Sequence, residues 1–407
     1  MTAVHPVQAA RVWPLVLTAA AILLLTQGSR QSLGLFVAPI DQDTGLGVAK
    51  ISLAFAIGQF TWGLAQPFFG AMAGRWGTRW VLVLGAVLMS LGTALTPLAH
   101  SSAALSLTIG LLTSVGAAAG SFAILIGGIA RYLPENRRAF AAGFINAGAS
   151  FGQFVFAPVL QWGITHWGWV TTLLLLAASA LLVIPLAFRL TAHLDAAPPA
   201  TAGTDESLAD QLRYAARDRS YLLLHLAFFT CGFHVAFLVT HMPGQVAVCG
   251  LAPAVSAAAL ALIGLFNIAG SLGAGALCQR YRMKSVLMAM YAARALIVIA
   301  FLIAPKVPWT FYLFAAALGL TFLATVPPTA GLVGKLFGPR HLATLFGLTL
   351  VSHQTGAFFG AWLGGITVSR FGDYTWMWYA DIVLALLAAV CHLPIVEARL
   401  PPRLATA

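Results

Sequence analysis

The chain alternates between long apolar runs and short polar segments over almost its whole length. A helix needs about 20 mostly apolar residues to cross the hydrocarbon layer of a membrane. The pattern therefore predicts an all-α membrane protein with twelve transmembrane helices, which we call spans 1 to 12. Their predicted ranges are 12–40, 50–73, 79–98, 103–130, 139–162, 168–189, 220–245, 255–279, 285–304, 309–334, 341–367 and 374–396.

The composition agrees with this pattern. Hydrophobic residues make up 60% of the chain and charged residues only 8%, and the mean hydropathy is +0.89. A soluble globular protein is usually about 25% charged, because its surface must face water. We therefore expect no large soluble domain between the spans.

A polar segment in the middle divides the spans into two sets of six. We predict an N-terminal six-helix bundle over 1–190, a cytoplasmic linker with a short surface helix over 191–219, and a C-terminal six-helix bundle over 220–407. The halves resemble each other at an offset close to 204 residues. Gly70 and Arg75 correspond to Gly275 and Arg280, and Gly152 corresponds to Gly356. The bundles are therefore predicted to be pseudo-symmetric repeats.

The net charge of +11 reports orientation and does not indicate a nucleic-acid partner. Most basic residues lie in loops and tails on the side of the N-terminus, whereas only Lys50, Lys306 and Arg370 lie on the opposite side. Cytoplasmic loops carry such an excess of lysine and arginine. We expect both termini in the cytoplasm, and the high alanine, glycine and arginine content favours a bacterial inner membrane.

The segment between spans 2 and 3 is similar to a known family pattern. Gly70, Arg75, Gly77 and Arg79 match its sequence of glycine, three residues, an acid, a basic residue, any residue, glycine and two basic residues. The chain thus resembles a major facilitator superfamily transporter. Gly74 replaces the acid, which in the family helps to latch the two halves together. The resemblance implies the major facilitator fold, with spans 1, 4, 7 and 10 lining a central cavity and spans 2, 5, 8 and 11 beside them.

Two further segments are similar to bacterial members of the monocarboxylate and oxalate/formate groups. These are residues 30–40, which begin Arg-Gln-Ser-Leu-Gly, and residues 137–143. The chain departs from both groups elsewhere. Span 8 has Asn267 and Ser271 where animal monocarboxylate carriers have an Asp/Arg pair. Span 11 has His353 and Gln354 instead of a basic residue.

Arg30 is the main candidate for the substrate site, because it lies in span 1 without an acid in the same span. A charge at the membrane centre costs about 2.5–3.5 kcal/mol, so it is retained with a partner or a function. The alternative is that Arg30 binds backbone carbonyls or faces the outer mouth. For the amides, helix packing is the alternative. The predicted substrate-binding residues are Arg30, Gln27, Asn146, Asn267, His353 and Gln354.

Two pairs of buried ionisable residues complete the candidates. His234 and His353 are candidates for proton coupling, because histidine titrates near physiological pH; the alternative is a neutral histidine bonded between helices. Arg294 and Asp381 are predicted to form a structural ion pair at comparable depths of spans 9 and 12. Separately, Pro327-Pro328 and Pro243-Gly244 predict breaks in spans 10 and 7.

These features together predict a secondary active transporter that moves a small organic anion, most simply a monocarboxylate, by proton symport or anion exchange. The alternative is an efflux pump for neutral or cationic molecules, which would need acids in its cavity. No nucleophile, metal-ligand cluster or nucleotide-binding loop is recognisable, so we expect no enzyme, no metal and no cofactor. The expected partners are the anion and membrane lipid, and the expected state is a monomer.

Overall fold

A computed structural model describes residues 9–129, 135–192, 208–338 and 342–397, and these residues contain helices and no β-strand. Helices in the described ranges cover parts of all twelve predicted spans, although several spans are divided into shorter helices and one helix, Glu135–Ala180, extends over parts of two spans. Seven helical segments are long and apolar enough to cross a membrane, and one of them, Ala141–Thr191, has 51 residues and contains most of two predicted spans. Many large apolar side chains on the spans are exposed, as a lipid-facing surface requires.

The first six spans contain several irregular helices. Span 1 consists of Ala9–Leu23, a π-helix Leu24–Gly28, a 3-10 turn Leu33–Phe36 and Val37–Thr44. Span 2 is Val48–Trp76 and span 3 is Thr78–Leu95 with the 3-10 turn Thr96–Leu98. Span 4 consists of Ser102–Leu105, a π-helix Ser106–Thr113, Ser114–Ala119 and Phe122–Ile129. Span 5 and the first part of span 6 form the stretch Glu135–Ala180, in which Gly168 with φ 80° makes the turn from one span to the other. Span 6 continues in Val183–Thr191.

The last six spans are more regular. Span 7 is Arg219–Val248, span 8 Pro253–Arg280, span 9 Met283–Ile303, span 11 Leu342–Phe371 and span 12 Thr375–Cys391. Span 10 is broken into Pro308–Gly319 and Val326–Phe337. The short helix Leu208–Ala215 precedes span 7.

The two predicted breaks have different outcomes. Span 10 is interrupted, and its second helix begins at Val326, directly before Pro327 and Pro328 in the first turn, where proline fits a helix. The break predicted at Pro243-Gly244 is wrong, because span 7 continues through Pro243 to Val248. A membrane helix tolerates one missing amide when neighbouring groups satisfy the freed carbonyl.

The described contacts divide the chain into unit 1, residues 1–200, and unit 2, residues 201–407. Each unit packs its first span tightly against its fifth through glycines. In unit 1, a Cβ at Gly28 would collide with the backbone of Gly152. In unit 2, a Cβ at Gly356 would collide with the carbonyl of Phe229. Small residues at such positions let helix backbones approach closely, so these glycines set the helix positions that carry the polar groups.

Candidate functional site

Span 1 changes its helical geometry directly before its arginine. The π-helix Leu24–Gly28 leads to Arg30, after which the chain turns into the 3-10 segment Leu33–Phe36. The Thr26 hydroxyl bonds the Gly120 carbonyl of span 4 at 3.1 Å, where span 4 is also interrupted. Single turns of π-helix are frequent at functional sites. The local backbone therefore marks the surroundings of Arg30 as a specialised region of unit 1.

Three side chains surround the half-buried guanidinium of Arg30. Its Nε donates to Gln27 Oε1 at 3.1 Å, and its Nη1 donates to Gln59 Oε1 at 2.6 Å. The indole of Trp62 lies beneath it, with 4.4 Å from Cζ to the ring centroid. None of these partners carries a negative charge. The contacts orient the guanidinium without neutralising it.

This group, Arg30 with Gln27, Gln59 and Trp62, presents hydrogen-bond donors. An arginine only donates, so each contacting amide must offer its oxygen and keep its NH₂ group for another partner. Gln27 Nε2 and Trp62 Nε1 are buried and have no acceptor among the described residues. A positive charge beside unsatisfied N–H donors suits an anion, since a carboxylate can accept from several donors at once. We call these four residues the donor cluster.

The sequence analysis predicts two of the four residues of the donor cluster. Arg30 and Gln27 were predicted together, whereas Gln59 and Trp62 of span 2 were missed. The available signal was their spacing of three residues, which places a polar and an aromatic side chain on one face of span 2. Asn146, also predicted, is half-buried on span 5 and lies outside the contacts described for Arg30. Gln153 of the same span is fully buried, with neither amide atom partnered among the described residues.

Unit 2 contains a buried pair that the sequence did not predict. His234 Nδ1 lies 2.5 Å from Asp381 Oδ2, and both side chains are fully buried. His234 Nε2 and Asp381 Oδ1 have no partner among the described residues. Spans 7 and 12 are thus joined by a histidine–carboxylate contact, in which the imidazole Nδ1–H donates.

The predicted direct pair of Arg294 and Asp381 is not what the described residues show, because Asp381 is bonded to His234 instead. Arg294 is fully buried and donates through Nη2 to the carbonyls of Thr321 at 2.5 Å and Phe322 at 3.1 Å. These carbonyls lie in the break of span 10, where no helix satisfies them. Arg294 therefore satisfies backbone carbonyls of the interrupted helix. The sequence prediction compared only the depths of charged side chains in the membrane and did not consider such a partner.

Asn267 of span 8 also forms a hydrogen bond with the backbone in the break of span 10. Its Oδ1 accepts from the backbone N–H of Leu323 at 2.9 Å, and the side chain is buried. Cys231 of span 7 also contacts the break, with its Sγ 3.2 Å from Thr325 Oγ1. Irregular backbone inside a membrane protein persists where side chains satisfy it. This contact is the one expected from the packing alternative for Asn267.

His353 and Gln354 are buried neighbours on span 11. Gln354 Nε2 donates to His353 Nδ1 at 3.2 Å, and the His353 ring packs on Phe228 with 4.8 Å between centroids. His353 Nε2 and Gln354 Oε1 have no partner among the described residues. The structure brings these two predicted residues together, but no described hydrogen bond joins His353 to His234.

The motif between spans 2 and 3 forms a tight turn. Gly77 has φ 84°, a conformation that favours glycine, and it separates the two helices. Arg75 is exposed, whereas Arg79 donates from Nε to Thr191 Oγ1 at 2.8 Å and lies over the ring of Phe188. Arg79 thus connects the start of span 3 to the end of span 6. Gly70 lies on span 2, with only Ile124 near the position of an added Cβ.

Comparison with known proteins places the chain among membrane transporters. The family described as Major Facilitator Superfamily matches residues 19–307 and 250–406. Bovine monocarboxylate transporter 13 is 25% identical over 364 residues, which cover 89% of this chain and 84% of that protein. Human monocarboxylate transporter 11 is 29% identical over 376 residues, covering 89% and 79%. An uncharacterized MFS-type transporter of Bacillus subtilis, YcxA, is 23% identical over 385 residues, covering 89% and 90%.

Solved structures share the fold at lower sequence identity. A D-xylose-proton symporter aligns with a TM-score of 0.75 and 16% identity, covering 95% of this chain and 98% of that one. A bacterial homologue of the human lysosomal transporter Spinster, in an inward-facing and occupied conformation, aligns with a TM-score of 0.69 and 17% identity over the same shares. At these identities the likeness concerns the fold alone. It confirms the predicted all-α membrane fold.

Proposed function

Because the chain belongs to the major facilitator superfamily, we propose that it is a secondary active transporter that moves a small organic anion, a monocarboxylate, by alternating access. The observation that carries the proposal is the donor cluster around Arg30. Its guanidinium is held by neutral groups, with an amide N–H and an indole N–H nearby that have no acceptor among the described residues. The names of the mammalian relatives, monocarboxylate transporters 11 and 13, favour the same substrate class.

The charge balance favours one carboxylate over two. Arg30 is the charged residue nearest the middle of a described span in unit 1, whereas the others, such as Asp41, Lys50 and Arg75, lie within a few residues of a helix end. A planar guanidinium fork binds a carboxylate through two parallel hydrogen bonds. One negative charge would neutralise the cluster, whereas a second would remain uncompensated. The apolar ring of Trp62 beside the fork favours a substrate with a short apolar part.

The same proposal covers the setting of the protein. It resides in a bacterial inner membrane, which the high alanine, glycine and arginine content favours, with both termini in the cytoplasm, which the distribution of basic loop residues favours. Transport is driven by proton symport or by anion exchange.

Uptake into proteoliposomes tests the proposal. Wild type and Arg30→Ala would be compared with radiolabelled mono- and dicarboxylates, with and without an inward-directed proton gradient. We expect saturable monocarboxylate uptake by wild type and a loss of more than tenfold in Arg30→Ala, equivalent to about 1.4 kcal/mol or more of binding. The pH response of wild type separates symport from exchange.

A charge variant sharpens the test. In Gln59→Glu, a carboxylate would stand 2.6 Å from the guanidinium and occupy the anion's place, so uptake should fall as in Arg30→Ala. Gln161→Glu is the matched control, since it adds the same charge at the far end of span 5, where Gln161 contacts Thr165. Normal uptake by Arg30→Ala would refute the anion site. Movement of cationic or neutral molecules instead would support the efflux alternative.

A further inference from the structure

We propose that His234 and Asp381 form a proton-exchange site in unit 2, through which transport is coupled to proton movement. The inference rests on the proposed transport function and adds to it the coupling ion and the residues that carry it. It starts from a contact of 2.5 Å between two fully buried ionisable side chains.

The pair is incomplete as a purely structural contact. A buried ion pair is stabilising only if further hydrogen bonds satisfy its remaining atoms. Here His234 Nε2 and Asp381 Oδ1 are both buried without a partner among the described residues. A buried polar atom without a hydrogen-bond partner is destabilising. A pair built only for stability would have these atoms bonded, so their open state points to a function.

The open nitrogen is the atom that a proton would occupy. Because Nδ1–H donates to Asp381 Oδ2, the neutral ring carries its lone pair at Nε2. In the proposed step, Nε2 takes one proton from water on one side of the membrane, and the ring becomes an imidazolium facing the carboxylate. The same proton leaves Nε2 to water on the other side. No other bond is made or broken.

Burial ties this step to conformational change. Both side chains have no solvent exposure in the structure, so a proton reaches Nε2 only when unit 2 adopts a more open arrangement. Loading and unloading then belong to different stages of the transport cycle. A proton site that is open in every conformation would leak protons and could not couple them to substrate.

The surroundings explain why a histidine with a carboxylate suits this role. Burial of both side chains opposes a charged ring, whereas the carboxylate of Asp381 beside Nδ1 stabilises an imidazolium. A ring with a carboxylate at one nitrogen can accept a proton at the other nitrogen without leaving its positive charge uncompensated. Arg294 of span 9 shares the Phe322 carbonyl with Cys231 of span 7 and lies over the ring of Tyr291.

The repeat gives an independent argument. His234 follows Arg30 by 204 residues, the offset that also relates Gly152 to Gly356. Gly28 and Gly232, two residues before Arg30 and His234, both pack against the fifth span of their own unit. The two units therefore place a permanent cation and a titratable base at equivalent positions.

Infrared difference spectroscopy tests the proton site without any substrate. Purified full-length protein would be compared between pH 8 and pH 5 for wild type, His234→Gln and Asp381→Asn. We expect wild-type bands from a buried imidazole or carboxyl group that both variants lack. The matched control is His241→Gln, a buried histidine of the same span that bonds the Ala361 carbonyl and has no carboxylate partner. It should keep the bands.

Transport measurements supply the second arm. In proteoliposomes, His234→Gln should lose proton-driven accumulation by more than tenfold, while exchange of labelled for unlabelled substrate, which needs no net proton movement, falls less. Equal accumulation by His234→Gln and His241→Gln would overturn the proposal, as would a wild-type spectrum without a buried titrating group.

The two arms separate this proposal from the proposed function. If wild type moves no carboxylate, the proposed function fails, and the infrared arm still decides whether the pair exchanges a proton. If the single variants do not fold, the double variant His234→Gln/Asp381→Asn, which removes both members of the pair, replaces them in both measurements. The wild-type spectrum alone can also refute the site.

Discussion

The two units carry different chemistry at one repeat position of their first helix. In unit 1 the position is Arg30, half-buried at an irregular part of span 1 and surrounded by neutral amides and an indole. In unit 2 it is His234, fully buried in the regular helix Arg219–Val248 and bonded to a carboxylate. A partly exposed cation can keep neutral partners and remain available to an anion. A fully buried ionisable ring needs a counter-charge.

The largest effect is expected from removing that counter-charge. Asp381→Ala leaves the buried His234 without its partner, so folded yield should fall by the equivalent of about 3–5 kcal/mol. The charge-swapped variant Arg294→Asp/Asp381→Arg should not restore it, because an aspartate at 294 cannot donate to the Thr321 and Phe322 carbonyls. Val383→Ala, at an exposed position of span 12, is the control.

Size-exclusion profiles of the purified variants would provide the measurement. Recovery in the charge-swapped protein would mean that Arg294 and Asp381 pair directly, contrary to the contacts described above.

The next largest effect is expected when the side chains at the two repeat positions, 30 and 234, are exchanged. Arg30→His should fold normally but lose more than tenfold of its carboxylate uptake at pH 7. Part of that uptake should return at pH 5.5, since a histidine becomes cationic as the pH falls. His234→Arg adds volume and a second buried cation, so its stability should fall by at least about 1–3 kcal/mol.

Uptake at both pH values and thermal unfolding in detergent would be measured beside wild type. If both substitutions were tolerated equally, the difference in burial between the two positions would not matter for the protein.

The shared glycine packing should respond alike in both units. Gly152→Ala and Gly356→Ala each place a Cβ against a facing backbone carbonyl, of Leu24 and Phe229 respectively. Each should lower stability by about 1–3 kcal/mol. Gly143→Ala and Gly347→Ala are matched helical controls with open space at the added carbon and should be neutral or slightly stabilising. Thermal unfolding that shifts in only one unit's variant would argue against equivalent packing.

The smallest effect is expected from hydrogen bonds that connect the start of the third span of each unit to the end of its sixth span. Burial raises the pKa of Glu397, but hydrogen bonds from Lys335 and from the amides of Lys284 and Met283 outweigh it, and the pKa is lowered from 4.5. This stabilisation is complete above pH 4.5 and is lost as the pH falls through the lower folded value. Glu397→Gln should therefore cost about 1–2 kcal/mol at pH 7 and less at strongly acidic pH.

The corresponding contact of unit 1 has no titrating partner. Arg79 donates to the Thr191 hydroxyl, so Thr191→Val should cost about 1 kcal/mol at either pH. Unfolding curves at pH 7 and below pH 4 would separate the two contacts. A pH-independent loss in Glu397→Gln would show that the charge of the carboxylate does not contribute.

Hydropathy was sufficient to predict an all-helical membrane protein, because a span must be long and apolar whatever it packs against. Pro327 and Pro328 likewise marked the second helix of span 10, since proline is favoured in a first turn. The π-helices in spans 1 and 4 could not be predicted. Neither Leu24–Gly28 nor Ser106–Thr113 carries a sequence signal that distinguishes a π-helix from an α-helix.

Partners across helices were the hardest part of the site to predict. Gln27 is near Arg30 in the sequence and was found, whereas Gln59 lies on another span and its rotation about the helix axis was unknown. The misassigned partner of Asp381 has the same origin. Arg294 and Asp381 are predicted to lie at the same depth in the membrane, which indicated Arg294 as the partner of Asp381. Depth does not reveal which face of span 7 packs against span 12. That face carries His234.

The interruption of span 10 has an electrostatic consequence. The last turn of a helix carries a partial negative charge, equivalent to about half an elementary charge. Arg294 donates to the carbonyls just beyond the end of Pro308–Gly319, so this macrodipole supplies part of its counter-charge. The backbone thus stands in for a carboxylate and leaves Asp381 to the histidine. A continuous span 10 would withdraw that charge, and the arginine would then compete with His234 for the acid.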